Sequence, residues 1–334
     1  MPVTDIIKDP EALTLTIVAD FAASRQRVWD AYADPRQIEK FWGPPTYPAT
    51  FTRHDMFTGG RSEYYMTGPE GDMSSGFWEF LDVRAPEYFE VRDGFAGEDG
   101  AENPDMPSMR MVYSFEETAE GCRLTAVTHF GSLEQLEQLV EMGMIEGTRL
   151  AMGQIDAVLA DLLSFAADIP TYTQHIGDTK ARISRVIAGS VEDVWRAHHE
   201  ADLLKQWLLG PDGWSMPSCT PPGEPGSTFR YDWAPDDGGE GFSIGGEVLE
   251  SHAPYRIVHT ERMEGPESTE GTAGTEGTQG ETYNEVTFTP VPEGTLLVYV
   301  ITYPDAATRK AALDTGMTDG MEAGYVRLET VLAG

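Results

Sequence analysis

The groups with which this 334-residue chain could do chemistry are seven histidines, two cysteines and a large excess of carboxylates, 56 Asp and Glu against 23 Lys and Arg. They are read as forming no Gly-x-Ser-x-Gly nucleophile elbow, no metal-binding His-Glu-x-x-His, no phosphate-binding loop and no dinucleotide fingerprint. His198 and His199 are adjacent on a helical stretch, so they point apart and do not make a metal pair. Cys122 and Cys219 fall at unrelated positions, which excludes a disulfide framework and a CxxC metal site. Each reads as a small buried hydrophobe. No metal and no cofactor is expected. Carboxylates are so numerous that no pair stands out. What remains is His54, which by strand alternation shares a face with Thr50, Thr52 and Met56, and His129 on a later strand. A histidine inside a cavity could act as acid or base near neutral pH. A surface or satisfied core histidine is the plainer reading.

A second set of side chains suits binding rather than catalysis. Met109, Met111, Tyr113 and Phe115 alternate on one strand and so share one face. Methionine with aromatic rings makes an adaptable apolar lining; a filled core is the alternative. Tyr65 and Tyr231, Met144 and Met317 recur in two halves of the chain, while Met111 and Tyr113 become Asn284 and Val286. The candidate cavity residues are His54, Tyr65, Met109, Met111, Tyr113, Met144, Tyr231, Asn284 and Met317.

The elements that must position these residues occur twice. Trp29 and Trp195 are 166 residues apart (195 − 29), and Phe41 and Trp207, Gly60 and Gly226, and Tyr65 and Tyr231 keep that offset. The offset drifts to 168 at Ala85-Pro86 and Ala253-Pro254, and to 173 at Gly143-Met144 and Gly316-Met317. This is a domain duplication with loop insertions, not a solenoid. In the first half, Leu13–Phe21 reads as a strand and Ser24 as the cap of a helix carrying Val28, Trp29 and Tyr32. Asp34-Pro35 restarts a second short helix. Six strand-like segments follow: Ala49–Phe57, Arg61–Thr67, Met73–Arg84, Tyr88–Gly94, Met109–Glu117 and Cys122–Phe130. Short turns between them imply an antiparallel meander. Ser132–Leu163 carries one apolar stripe at helical spacing, with a break expected near Gly143. Domain 1 is therefore expected at 1–165, a linker at 166–179 and domain 2 at 180–334. Glu264–Glu281, rich in Gly, Thr and Glu, is expected to be a mobile hairpin tip.

The net charge of −33 argues against nucleic acid and anionic membrane as partners. It fits solubility or a basic protein partner. No transmembrane stretch and no signal-like N-terminus is evident, which points to a cytoplasmic protein.

With Val28-Trp-x4-Asp-Pro-x2-Ile-x2-Phe-Trp-Gly-Pro44 in the first copy and a Gly-Met-x2-Gly helix late in both, the chain resembles the START-like superfamily. Within it, the chain is most similar to the activator-of-heat-shock-protein-90-ATPase family. The resemblance covers nearly the whole chain, twice. It implies an α+β fold of two tandem helix-grip domains. Each would be a bent seven-stranded antiparallel sheet around a long C-terminal helix, with two short helices after the first strand. It also implies a cavity between sheet and helix in which apolar small molecules bind. The second copy departs from the pattern, with Glu200-Ala201 for Asp-Pro and Leu208-Leu209 for Trp42-Gly43, so the two interiors should differ. Three functions follow as expectations. The first is binding of a hydrophobic or lipid-like small molecule. The second is regulation of a chaperone ATPase or another protein interaction. The third is cyclase- or hydrolase-like catalysis by a cavity His or Tyr.

Overall fold

The computed structural model describes residues 2–97, 101–106, 108–161, 170–210, 212–265 and 280–334. The chain divides into two compact units, Met1–Phe165 and Ala166–Gly334.

In the first unit, β1 (Val3–Asp9) and β2 (Thr14–Phe21) form a hairpin. Ser24 then starts α1 (Arg25–Ala33), its hydroxyl accepting from the Arg27 N–H. Asp34 starts α2 (Pro35–Ile38). The meander runs through β3 (Ala49–His54), β4 (Arg61–Thr67), β5 (Met73–Arg84), β6 (Tyr88–Ala96), β7 (Met109–Thr118) and β8 (Gly121–His129). Helices α3 (Leu133–Glu141), α4 (Met144–Met152) and α5 (Ile155–Ala160) follow. The strand order β1-β2-β8-β7-β6-β5-β4-β3 makes one antiparallel sheet.

The second unit repeats this plan. It contains β9 (Tyr172–Ile176), β10 (Lys180–Ile187), α6 (Val191–His199), α7 (Ala201–Trp207), β11 (Trp214–Thr220), β12 (Thr228–Pro235), β13 (Phe242–His252), β14 (Arg256–Glu264), β15 (Thr282–Val291), β16 (Gly294–Thr302), α8 (Ala306–Asp314) and α9 (Met317–Ala333). Its strand order is β11-β12-β13-β14-β15-β16-β10-β9.

Each sheet has eight strands rather than the seven expected. The additional strand is the edge partner of the first one, β1 on β2 and β9 on β10. Val3–Asp9 is mostly exposed and lacks the alternation that marks a half-buried strand, so its sequence carries little signal. Strand β9 lies inside the stretch 166–179 read above as linker. Residues 266–279, most of the expected hairpin tip, lie outside the described residues, as do 162 and 163 at the end of the expected helix.

The helical region breaks at Gly143, which adopts φ +92° and starts α4, and at the equivalent Gly316, with φ +78° before α9. Only glycine takes this left-handed conformation without strain. A second break in the first unit, at Gly153-Gln154, was not expected.

The departure at Glu200 has a local consequence. Asp34 accepts from the Arg36 N–H and pairs with the Arg36 guanidinium at 2.8 Å, both side chains being buried. Glu200 caps α7 with no side-chain hydrogen bond. Burial works to raise the Asp34 pKa, but Arg36 and Gln37 hold it below the ordinary carboxylate value.

Candidate functional site

The inner face of the first sheet is set by cross-strand pairing. His54 stands opposite Ser62, Ser62 opposite Trp78, Trp78 opposite Asp93, and Asp93 opposite Met109. These five residues form one rung across strands β3 to β7, and all five are buried. The next rung towards the sheet edge runs Phe51, Tyr64, Gly76 and Phe95. Above them the Trp42 ring meets Trp78 edge-on at 4.5 Å and Tyr64 at 5.9 Å.

The rung is polar although the surround is aromatic. The Trp78 indole N–H donates to the Asp93 carboxylate at 2.8 Å, and the Tyr64 hydroxyl donates to the same oxygen at 3.4 Å. Burial pushes the Asp93 pKa up to about 6, against the lowering effect of these two hydrogen bonds. Burial, then the charge of Asp93, pushes the Tyr64 phenol well above its ordinary value. His54 Nδ1 lies 2.8 Å from the Ser62 hydroxyl and Nε2 lies 2.8 Å from the Tyr32 carbonyl. His54 is thus a satisfied histidine at the end of the rung.

Three sequence expectations change here. His54 does not share a face with Thr50 and Thr52. A bulge between Phe51 and Arg53 shifts the register, so that His54 falls on the inner face with Phe51. Tyr65 is on the opposite face from Tyr64 and points away from the rung. The Gly59 N–H donates to Phe80 O, as the Gly226 N–H donates to Val248 O, and both glycines have positive φ. The offset on this strand is therefore 167 (226 − 59), and Tyr231 corresponds to Tyr64. A slip of one residue moves a side chain to the other face.

Met109 and Met111 are buried on the inner face, with Tyr113 stacked on Phe89 at a centroid distance of 4.4 Å. Tyr113 is thus part of the aromatic layer that also includes Tyr32 and Phe115. Met144, at the first position of α4, is half-buried against this core, as are Trp42, Met66, Phe95 and Met106. The residues missed by sequence reasoning are Tyr64, Trp78 and Asp93. The signal for Asp93 was present: Phe89, Val91, Asp93 and Phe95 alternate, and an acid interrupts the apolar face.

The second interior keeps the frame and changes the chemistry. The offsets of 167 on β12 and 168 on β13 and β14 place Phe229 at the position of Ser62, Gly246 at Trp78 and Glu261 at Asp93. One rung further, Val91 and Met111 become His259 and Asn284, again directly paired. Tyr231 packs on Phe229 and Trp233. Met317, at the first position of α9, receives the Tyr303 hydroxyl at 3.6 Å. His198 and His199 each direct Nδ1 at a backbone carbonyl four residues earlier, Val194 and Trp195. His259, His198 and His199 were not singled out as binding residues from the sequence.

Gly241-Phe-Ser243-Ile-Gly245 has the spacing of a nucleophile elbow, which corrects the expectation that the chain holds none. Ser243 lies at the start of β13 rather than at a strand-to-helix turn, and its hydroxyl accepts from the Arg230 guanidinium at 2.7 Å. It therefore does not present a nucleophile. Cys122 is buried and its thiol is pushed up to about 11 by burial, whereas Cys219 is only half-buried. Among the described residues no group of three or more His, Cys, Asp or Glu could hold a metal ion, and no helix is long and apolar enough to cross a membrane.

Two comparisons with known proteins returned matches. The family model described as "Activator of Hsp90 ATPase homolog 1-like protein" matches residues 22–160 and again 188–333. Among solved structures, protein Ms6760 from Mycobacterium smegmatis is 50% identical over 48% of this chain and 98% of its own, with a TM-score of 0.46. A protein from Arthrobacter aurescens is 45% identical over 48% of this chain and 92% of its own, also with a TM-score of 0.46. No curated protein matches. Matched by one family model along both of its halves, the chain belongs to the activator of Hsp90 ATPase homolog 1-like family.

Proposed function

We propose that the first unit binds a small, mainly apolar molecule between its sheet and its C-terminal helices. The observation that carries this reading is Asp93, a buried carboxylate whose two hydrogen-bond donors are aromatic side chains, inside a face of methionines and rings. Burying a carboxylate with two aromatic hydrogen-bond donors and no counter-charge costs the fold stability, and titratable groups perturbed in this way cluster at functional sites. The half-buried Met66, Phe95, Met106 and Met144 give the ligand an apolar approach, and Asp93 with Tyr64 gives it a polar end. Burying one aliphatic side chain's worth of surface contributes about 1.5–3 kcal/mol, so a medium-sized ligand reaches micromolar affinity without a strong ion pair.

Native mass spectrometry of the gently purified full chain tests this beside a denatured sample. An added mass of a few hundred daltons that is lost on denaturation, and lost again in Met111→Glu with the fold retained, supports the reading. An adduct unaffected by Met111→Glu counts against this location. A second reading, regulation of a chaperone ATPase, rests on the family description and on the net charge of −33, which suits a basic partner. Salt-sensitive capture of a chaperone together with a raised ATPase rate would favour it.

A further inference from the structure

We infer that the ligand of the first unit is a cation, an ammonium group carried on an apolar body, with Asp93 as its counter-charge. This rests on the reading of the first unit as a binding site and adds the chemistry of the ligand's polar end. The two donors to Asp93, the Trp78 indole and the Tyr64 hydroxyl, are both uncharged, and both reach the same oxygen, Oδ1. Other buried acids of this unit are neutralised: Asp34 pairs with Arg36 at 2.8 Å and Asp55 with Arg53 at 2.5 Å. Among the described residues no cation pairs with Asp93. Across the sheet it faces Trp78 on one side and Met109 on the other. Its chain neighbour Arg92 lies on the opposite face of β6, held by Glu79 and Glu102. With a pKa of about 6, Asp93 is still ionised at neutral pH. The interior therefore holds one negative charge that the protein itself does not balance.

A second observation concerns access. Trp78, Phe89 and Tyr113 form a closed layer at 0–1% exposure, whereas Tyr64, Asp93, Met109 and Met111 keep 6–9%. Two residues further along β4 and β6, on the same face and towards the same end, Met66 and Phe95 are half-buried, as is Trp42 against Tyr64. Exposure thus rises stepwise from the closed layer through Asp93 to the surface. The carboxylate stands at the inner end of an apolar approach, not beneath a sealed core. An anion brought there would be repelled, and a neutral molecule would leave the charge unbalanced. An ammonium group donates to Oδ2, which takes part in neither existing bond, and cancels the charge in a medium where such a hydrogen bond is strong. The aromatic walls add to the same preference, since ring faces attract cations. The second unit lacks this arrangement. Gly246 replaces Trp78, and Glu261 at the position of Asp93 has a side chain 33% exposed.

The test titrates the full chain with octylamine, octanol and octanoate in a calorimeter at neutral pH. The three share one apolar body and differ in charge. Octylamine is expected to bind at least tenfold more tightly than octanol, and octanoate most weakly. Asp93→Asn, nearly identical in size, should bring the amine down to the affinity of the alcohol and leave the alcohol unchanged. Glu261→Gln removes the same unit of charge from the equivalent strand position and should keep the amine preference. A preference that survives Asp93→Asn, or that falls equally in Glu261→Gln, would come from the overall charge of −33 and overturns the inference. Equal affinity of wild type for amine and alcohol also overturns it; loss of alcohol binding in Met111→Glu then leaves the apolar reading standing. No binding by any of the three overturns both.

Discussion

Trp78 and Asp93 face each other across the β5–β6 pair, and the indole donates to a carboxylate that is 8% exposed. That relationship sets the first prediction. The folded pKa of Asp93 is about 6 against an ordinary 3.8, so the folded state binds the extra proton between those values. The contribution of Asp93 to stability is therefore favourable below pH 3.8 and is lost as pH rises through about 6. Asp93→Asn should make the chain more stable at pH 7 by on the order of 3 kcal/mol, with the difference vanishing near pH 4. Denaturant unfolding at several pH values checks this; a difference that does not change with pH would refute it.

His198 acts with the opposite sign. Burial lowers its pKa from 6.5 to about 4, so the unfolded chain binds the extra proton in that window. Its contribution is present above pH 6.5 and is lost as pH falls towards 4. His198→Leu should flatten this acid loss in the second unit, as read by hydrogen exchange of α6 amides between pH 4 and pH 7.

Tyr64 and Tyr65 should separate cleanly. Tyr64→Phe removes one of the two donors to Asp93 and should raise the Asp93 pKa further, whereas Tyr65→Phe should leave it unchanged. Carbon-13 chemical shifts of the Asp93 carboxyl during a pH titration report both.

Asp34→Ala should be strongly destabilising. It removes the α2 cap and the Asp34 side of a buried ion pair with Arg36, which is 6% exposed. Loss of one partner of a buried pair costs about 3–5 kcal/mol. Glu200→Ala, at the equivalent helix start, should change stability by much less, because its side chain makes no capping bond. Urea unfolding of the two variants makes the comparison.

Much of the fold was legible in the sequence because the meander strands and the paired short helices carry strong alternation, capping residues and turn glycines, twice over. Ser24 caps as its spacing suggests, and Gly143 breaks the helix where expected. The edge strands β1 and β9 were not legible, since exposed edges have little hydrophobic pattern to read. The candidate site was legible only in part. Met109 and Met111 lie on a regular strand, where alternation assigns the face correctly. Tyr65 and the neighbours of His54 were misplaced because a bulge in β3 and a one-residue drift in the repeat shift the register. Neither leaves a mark in composition.

The duplicated pairing frame also makes the two interiors exchangeable parts. Rung positions are fixed by backbone hydrogen bonds, so a side-chain pair can be moved between units without altering the ladder that holds it. Val91 and Met111 occupy in the first unit the places of His259 and Asn284. Grafting Val91→His with Met111→Asn would transplant the polar pair beneath Asp93, and the reverse exchange would erase it from the second unit. Each exchange would show what the pair contributes within one pairing frame, with the other unit as its reference.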